Sequence, residues 1–405
     1  MYRPDEFVRS NSATTVRGQL SSSSEFIRGR LLNHLNCNSV SSRDRSLLRG
    51  EMSLRYFCQP RLLPIVALVA ILICRWSPTA AGAAKAPPPI DWPAGLALSG
   101  SDLWVANEGG NSLTEISVRS GSLVRTVGSP AYGFNSPIAI ATDGQSLWVA
   151  NNGGHTITQV NAQSGALIRI IDPGEHRIVN PLCVVYADGE VWVSSGGNVN
   201  HNASIVELDP STGHVVQVLT KGIIAAQSLA VIGQNVWVGN INGSVVELSA
   251  KNGRLERVVD LSGLGSGVEP QGFVPFGNDI WIPNGMSTNP GTNYSMVELR
   301  PSDGAVVRKV NASSLRIDTT LGDPSTVATD GKYIWMATPS EVVEMSASSG
   351  RFENIVRASR TNAISHADGL FVAGHTLWIS NGTGGLWGSV TELSLPSGDV
   401  IRVIK

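Results

Sequence analysis

A tryptophan within a short apolar segment recurs seven times in this chain of 405 residues. The segments are LWVAN, LWVAN, VWVSS, VWVGN, IWIPN, IWMAT and LWISN, and their tryptophans are Trp104, Trp148, Trp192, Trp237, Trp281, Trp335 and Trp378. Successive tryptophans are 44, 44, 45, 44, 54 and 43 residues apart, in or near the period of a four-stranded propeller blade. The spacing predicts an all-β fold, a seven-bladed β-propeller of four-stranded antiparallel blades.

A polar marker follows each tryptophan, and a glycine follows each marker by six residues. The markers are Glu115, Gln159, Glu207, Glu247, Glu298, Glu344 and Glu392, and the glycines are Gly121, Gly165, Gly213, Gly253, Gly304, Gly350 and Gly398. A strand, a tight glycine turn and another strand form a hairpin, and a second hairpin precedes each tryptophan. Each repeat therefore predicts four strands, which we name a to d in sequence order. The last repeat ends with its own strand d, so we expect no strand exchange between the chain ends.

The loops of the predicted blades differ in how much their lengths vary. The distances from tryptophan to polar marker are 11, 11, 15, 10, 17, 9 and 14 residues, so the b-to-c loop changes from blade to blade. The stretch that contains the d-to-a connection varies as well. Both kinds of loop emerge on one face of a propeller. We therefore expect one uniform scaffold face and one variable recognition face.

Composition indicates the type of fold, and charge argues against nucleic acid as a partner. Hydrophobic residues make up 42% of the chain, charged residues 15%, and there are 43 glycines, as in proteins of short strands and tight turns. Eleven Arg and five acidic residues precede residue 76, whereas the rest of the chain carries 19 basic and 27 acidic residues. An acidic domain repels phosphate backbones, so we expect no nucleic-acid binding. The single cysteine of the repeats, Cys183, leaves no internal disulfide there and is predicted to be buried.

The chain before the repeats resembles an export signal. Residues 62–74 form an uncharged apolar run that is shorter than the roughly 20 residues a membrane span needs. Arg55 and Arg61 precede this run, and small residues near Ala83 and Ala86 offer cleavage sites. These features predict a signal peptide and a secreted or extracytoplasmic protein, which we expect to be monomeric.

Two interpretations of the N-terminus stay open. Residues 1–51 are rich in Ser and Arg without periodicity, which indicates either a disordered leader or a gene start placed too early, with Met52 as the true start. Residues 52–86 are then a signal peptide, or a signal anchor that holds the protein to a membrane through residues 62–74. Residues 87–91 form a linker and residues 92–405 the propeller.

The repeats resemble a known group of proteins. The LWVAN strand, the Asp-Gly hairpin before it and the TEI or VEL strand that ends in a glycine turn are similar to bacterial YVTN, NHL and streptogramin-lyase-like repeats across residues 92–405. The resemblance implies the propeller fold. It does not choose among enzymes, sensor ectodomains and adhesion modules, because these repeats serve all three.

A small polar residue stands three positions after each tryptophan. Five of the seven are asparagines, Asn107, Asn151, Asn240, Asn284 and Asn381. Asparagine tolerates a positive φ and its amide satisfies backbone groups in turns, which favours a local structural role. The alternative is a ring of amides at the channel mouth that binds a sugar or peptide.

The lyase resemblance implies an acid–base pair, a His that enters strand a and a Glu four residues after the tryptophan of the same blade. Glu108 is the only Glu at that fourth position, and no His enters its blade. His366 enters strand a of the last blade, where Gly382 replaces the Glu. No blade keeps the pair, so His366 and Glu108 are weak catalytic candidates.

A non-catalytic recognition role is the function that the sequence favours. Blades three, five and seven have the longest b-to-c loops, and the residues there best suited to contact a protein, peptide or glycan are Asn200, His201, Asn293, Tyr294 and Trp387. Trp387 is flanked by glycines and is predicted to be either a binding anchor or a plug over the channel. Glycine-rich loops that open no helix and the lack of a ligand motif predict no cofactor and no metal. The alternative function is a lyase or hydrolase.

Overall fold

The computed structural model describes residues 88–405 except 129, 173–177, 197–202, 265–268, 286–293, 318–325, 360 and 383–387. The predicted leader and signal segment, residues 1–51 and 52–86, lie outside the described residues. Among the residues described, no helix is long and apolar enough to cross a membrane.

The described chain contains 28 strands. The strands of blades 1 to 4 are β1 (Pro93–Ser99), β2 (Asp102–Asn107), β3 (Ser112–Ser117), β4 (Leu123–Val127), β5 (Pro137–Thr142), β6 (Ser146–Asn151), β7 (Thr156–Asn161), β8 (Leu167–Ile171), β9 (Pro181–Ala187), β10 (Glu190–Ser195), β11 (Ser204–Leu208), β12 (Val215–Leu219), β13 (Ala226–Ile232), β14 (Asn235–Asn240), β15 (Ser244–Ser249) and β16 (Leu255–Asp260). The strands of blades 5 to 7 are β17 (Val274–Phe276), β18 (Asp279–Asn284), β19 (Ser295–Arg300), β20 (Ala305–Asn311), β21 (Thr326–Thr329), β22 (Tyr333–Ala337), β23 (Glu341–Ser346), β24 (Phe352–Arg357), β25 (Ala367–Ala373), β26 (Thr376–Asn381), β27 (Ser389–Ser394) and β28 (Val400–Ile404). Three short 3₁₀ helices span Pro130–Tyr132, Ser262–Leu264 and Ala312–Leu315.

Each set of four consecutive strands forms one antiparallel sheet in the order a, b, c, d. The first strands of blades 1 to 4 contact one another in turn, as do those of blades 5 to 7, and β1 also contacts β25, so these strands form the inner wall of a closed ring. The predicted seven-bladed propeller is confirmed. The prediction that no strand is exchanged between the chain ends is confirmed as well, because blades 1 and 7 each use four consecutive strands.

The loop lengths separate the two faces of the propeller. The a-to-b turns have two or three residues and the c-to-d turns four to six, whereas the b-to-c loops have three to ten. The d-to-a connections vary in length too. We call the face that carries the b-to-c and d-to-a loops the variable face, and the opposite face the uniform face.

The seven tryptophans form the core between blades. Each is no more than 1% exposed, and each packs against apolar side chains of the following blade. Trp104 lies with Leu147 and Val149 of blade 2, and Trp378 of blade 7 lies with Leu103 and Val105 of blade 1. The tryptophans therefore fill the space between each blade and the next, including the space between the last blade and the first.

The polar markers belong to a row of side chains that crosses each blade. Trp104 is in register with Glu115 on strand c, and Glu115 is in register with Arg125 on strand d. The Arg125 guanidinium contacts the buried Glu115 carboxylate at 2.5 Å. Blades 4, 5 and 7 contain the same pair, with distances of 2.5, 3.2 and 2.6 Å: Arg257–Glu247, Arg308–Glu298 and Arg402–Glu392.

The strand d side chain of this row also reaches the next blade. Arg169 donates to the Ser211 carbonyl at 2.8 Å, Gln217 donates to the Ala250 carbonyl at 3.1 Å, and Arg402 lies against Gly121 of blade 1. The seven turn glycines all have positive φ, between 65° and 75°, a region that glycine adopts without steric cost. The recurring Glu and Gly of the sequence thus build a belt on the uniform side of the ring.

Candidate functional site

The residue directly before strand a, which we call the leading residue, lies on the variable face and has an unusual backbone conformation in several blades. Its φ is positive at five described positions, 52°, 50°, 49°, 45° and 47° at Trp92, Ser136, Asn180, Ala225 and His366. A positive φ is uncommon for residues other than glycine and is a clear outlier for a side chain as bulky as tryptophan. Five residues with the same conformation, one per blade, form part of a ring at the channel mouth.

The leading residue and the fourth residue after the tryptophan are neighbours within a blade. The Glu108 amide donates to the Trp92 carbonyl at 2.9 Å, and the Gly382 amide donates to the His366 carbonyl at 3.0 Å. Equivalent bonds join these positions in blades 2 to 5. The two positions at which the lyase resemblance implies His and Glu therefore do lie side by side, but blade 1 holds Trp92 and Glu108, and blade 7 holds His366 and Gly382.

Gly382 marks the place where blades 1 and 7 meet on the variable face. A Cβ at this position would come within 3.0 Å of Asp368 Oδ2 and of Nε1 in the Trp92 ring. A Cβ at Gly388 would likewise collide with Pro93. Trp92 therefore extends from blade 1 to a glycine of blade 7, and its indole and the Asp368 carboxylate lie where the Cβ of a larger residue would stand. We call Trp92, Glu108, His366 and Asp368 the seam cluster.

The members of the seam cluster differ in exposure. His366 and Asp368 are exposed, and Trp92 and Glu108 are half-buried. The Ser365 hydroxyl lies 3.4 Å from His366 Nδ1. The cluster takes an imidazole, an indole and two carboxylates from three separate segments of the chain, and its His366 and Asp368 side chains are exposed to solvent.

The five asparagines occupy a different environment from the seam cluster. All five are completely buried. Asn107 donates from Nδ2 to the hydroxyls of Ser112 and Thr114 at 3.1 and 2.9 Å, and Asn151 repeats this pattern with Thr156 and Thr158.

Two other blades use the same asparagine position to hold the d-to-a loop. The Ile224 amide donates to Asn240 Oδ1 at 2.9 Å, and the Ser365 amide donates to Asn381 Oδ1 at 3.4 Å. Asn284 is buried, and no described residue provides a hydrogen-bond partner for its side chain. These amides lie in the interior and do not form part of the exposed surface of the variable face.

Of the five ligand-contacting residues predicted in the loops of blades 3, 5 and 7, one lies among the described residues. Asn200, His201, Asn293 and Trp387 lie outside the described residues. Tyr294 is described and is only 2% exposed, and its hydroxyl contacts the sulfurs of Met296 and Met336 at 3.0 and 3.2 Å. Its side chain packs into the core between blades 5 and 6.

A further histidine of the variable face has a structural contact. His155 Nδ1 accepts a hydrogen bond from the Asn180 amide at 3.0 Å, just as Asn111 Oδ1 accepts one from the Ser136 amide at 2.7 Å. Both acceptors tie a b-to-c loop to the leading residue of the next blade. The Asn111 parallel indicates that His155 supplies a lone pair for this link between blades.

Buried carboxyl groups elsewhere have raised pKa values. Burial raises the pKa of Glu247 and Glu392, and the Arg partner of each partly opposes this rise. Burial, with Asp330 and Glu353 nearby, raises the pKa of Glu344 to about 7. In blade 6 an Asn, Asn354, replaces the Arg opposite Glu344, so its carboxylate has no strand d cation to stabilise the charge.

Glu269 is the leading residue of blade 5 and the other carboxyl with a pKa near neutrality. Burial raises its pKa to about 7, and the Gln271 amide, 3.5 Å away, lowers it slightly. At Cys183 burial raises the thiol pKa to about 11, which makes this cysteine a poor nucleophile. Within the described part of the chain, no group of three or more His, Cys, Asp and Glu side chains could hold a metal ion.

Comparisons with known proteins show the fold but no family. No family model matches the sequence, and no curated protein matches it, so the resemblance to YVTN and NHL repeats stays a prediction. The structure is similar to a chain of hydrazine synthase from Kuenenia stuttgartiensis, with a TM-score of 0.63 and 16% sequence identity over 78% of this chain and 99% of that chain. At this identity the similarity shows a shared propeller fold alone.

Proposed function

We propose that this chain is a non-catalytic recognition module that binds a protein, peptide or glycan on the variable face of its propeller. The observation that carries the proposal is the packing at Gly382. In the one blade with a His at the leading position, Trp92 and Asp368 lie where a Cβ at the partner position would stand, so a Glu beside His366 would require both side chains to move. The uniform face serves as scaffold, and the loops of the other face are free to vary with the ligand.

Export is part of the same proposal. The apolar run at residues 62–74 with Arg55 and Arg61 before it supports a signal peptide, and the acidic propeller supports partners other than nucleic acid. The mass of the mature N-terminus tests this: cleavage near Ala83 or Ala86 supports secretion. Residues 1–51 on the purified protein would rule out a later start at Met52.

Binding and turnover should be measured on the same panel of ligands. The propeller is screened against cell-wall glycans, peptides and lactone antibiotics, with His366→Ala and Asp399→Asn in parallel. Asp399 is exposed on a c-to-d turn of the uniform face and serves as the control. Saturable binding without product formation supports recognition, whereas turnover that His366→Ala abolishes would overturn it.

An enzyme is the second candidate function, and one observation favours it. Asp368 supplies a carboxylate in the same blade as the exposed His366, and Glu108 follows from blade 1. An imidazole with a nearby carboxylate can act as a general base. This lyase or hydrolase proposal requires that Asp368→Asn and His366→Ala each abolish turnover of one ligand in the panel.

A further inference from the structure

The outermost strand of each blade, strand d, is an edge of its sheet. No described strand pairs with the outer side of strand d, so this strand presents unpaired backbone N–H and C=O groups around the rim of the propeller. An edge of this kind can add a strand from another chain, and soluble proteins prevent the addition with charged side chains, among other devices. The side chains of strand d therefore show which blades are protected against pairing.

Protection by charge is uneven around the rim. We compare the residues directly before and directly after the belt residue of strand d, which lies ten positions after the polar marker. Blades 4, 5 and 6 each carry one charged residue at these two positions, namely Glu256, Lys309 and Glu353. Blades 7, 1, 2 and 3, which are consecutive in the closed ring, carry none. One continuous part of the rim is therefore left without charged side chains at these positions.

Blades 2 and 3 have two exposed β-branched apolar residues each at these positions. The exposed fractions are 41%, 42%, 55% and 37% for Ile168, Ile170, Val216 and Val218. The outer strands β8 and β12 are neighbours along the rim, because Arg169 of β8 donates to the Ser211 carbonyl in the c-to-d turn of blade 3. We call β8 and β12 together the uncharged rim.

The charge of the chain favours a second copy of itself as the occupant of the uncharged rim. A partner of strong positive or negative charge gains nothing from these four side chains, whereas another apolar strand is removed from water together with them. After residue 75 the chain carries 19 basic and 27 acidic residues, so two copies repel each other over most of their surface. This repulsion is weakest where the outer strands carry no exposed charge.

Twofold symmetry makes the uncharged rim complementary to itself. A twofold axis places the same patch of each copy against the other, so Ile and Val side chains meet Ile and Val side chains, and an outer strand can pair with its copy in antiparallel fashion. A stable interface takes about 20–30 residues from each partner. Strand d and the turn before it contain ten residues in blade 2, 162–171, and eleven in blade 3, 209–219, which together approach that size.

We infer that two copies of this chain associate through the uncharged rim of blades 2 and 3. The sequence alone predicted a monomer, and the inference departs from that expectation. The rim lies apart from the loops of the variable face, so a dimer presents two recognition faces. Two linked sites bind a multivalent ligand more tightly than one site does.

Sedimentation velocity of the full chain over a series of concentrations measures the association, with matched double variants. Ile168→Lys/Val218→Lys places a charge in each outer strand of blades 2 and 3, as Lys309 does in blade 5. Val307→Lys/Val258→Lys makes the same changes at the same two positions in blades 5 and 4, where the side chains are 41% and 52% exposed. Circular dichroism melting checks that both variants are folded. If the rim variant does not fold, Ile168→Thr/Val218→Thr takes its place, because Thr keeps the β-branched shape that strands favour.

We expect the wild-type protein to dimerise and the rim variant to raise the dissociation constant of the dimer by about tenfold or more, because the dimer then holds like charges against each other. The control variant should dimerise as the wild-type protein does. Added NaCl should strengthen the dimer, since salt screens the repulsion between two acidic copies.

Three results would overturn the inference. They are a wild-type protein that stays monomeric at every concentration, an association that the rim variant leaves unchanged, and equal weakening by the rim and control variants. Flotation with phosphatidylcholine vesicles is measured on the same proteins. Vesicle binding that only the rim variant loses, without a wild-type dimer, would assign the uncharged rim to a membrane surface and would also contradict a second copy as its occupant.

Discussion

The Ser380 hydroxyl donates a hydrogen bond to the Ala94 carbonyl at 2.6 Å, across 286 residues of sequence. This bond joins strand b of the last blade, β26, to strand a of the first blade, β1. Ser228 on strand a of blade 4 makes a related contact to blade 5, where its hydroxyl donates to the Pro270 carbonyl at 2.8 Å. The seam is therefore closed by the kind of contact that joins interior blades, without a shared strand.

We expect Ser380→Ala to lower the free energy of unfolding by about 1–3 kcal/mol, because the buried Ala94 carbonyl loses its donor. Urea denaturation measures the effect, with Ser228→Ala as the interior comparison. A neutral Ser380→Ala beside a destabilising Ser228→Ala would show that this bond does not hold the seam.

Gly382→Ala tests the packing of the indole at the seam. The added Cβ would press on Trp92 and Asp368, and overpacking of this kind costs about 1–3 kcal/mol. Gly263→Ala is the control, since a Cβ at Gly263 would meet no described residue within 4 Å and its φ is not positive. Equal melting temperatures for Gly382→Ala and the wild-type protein would contradict the described packing.

Trp192→Ala tests the role of the tryptophans. Trp192 is 1% exposed and packs against Val236 and Val238 of blade 4, so truncation should destabilise the protein by roughly 3–5 kcal/mol. Thermal unfolding followed by circular dichroism measures the loss. An unchanged transition would mean that this side chain is not part of the core.

Glu344 should make stability depend on pH. Burial raises its pKa from the ordinary Glu value of 4.5 to about 7 in the folded state, so the folded state retains the proton more strongly than the unfolded state. The stabilisation from the protonated Glu344 carboxyl is fully present below pH 4.5 and is lost as the pH rises through about 7. This loss lowers the free energy of unfolding by roughly 2–3 kcal/mol.

The variant Glu344→Gln should therefore lose less stability than the wild-type protein between pH 5 and pH 8, as measured by urea denaturation. Asn354→Arg should act in the same direction, because it restores the cation that blades 1, 4, 5 and 7 place opposite this carboxylate. Asp399→Asn is the control. An identical pH dependence in Glu344→Gln would contradict the raised pKa.

The repeat period was enough to predict the blades, because each blade is a local hairpin series in which the tryptophan spacing counts the units. The belt was missed, although a signal for it exists. The strand d partner follows the polar marker by ten residues in every blade, as Arg125 follows Glu115 and Arg402 follows Glu392. A polar residue at constant spacing within an apolar strand indicates a buried partner.

The candidate site was harder to predict, because it depends on contacts between blades. In the sequence, Trp92 was notable only because it stands where the lyase resemblance implies a His. Gly382 was notable only because it stands where the resemblance implies a Glu. These two residues lie against each other because the ring closes and brings blade 7 beside blade 1. The asparagines three positions after the tryptophans suggested a ring of amides at the channel mouth. The ends of the b strands are buried, however, so these amides lie in the interior.

Hydrogen–deuterium exchange with and without a ligand that binds in the panel tests the central claim, recognition on the variable face, most directly. Amides of this face, such as those of Glu108 and Gly382, which bond to the Trp92 and His366 carbonyls, should exchange more slowly when the ligand is bound, because binding suppresses local opening. The c-to-d turns of the uniform face should be unchanged. Protection confined to the uniform face would contradict recognition on the variable face.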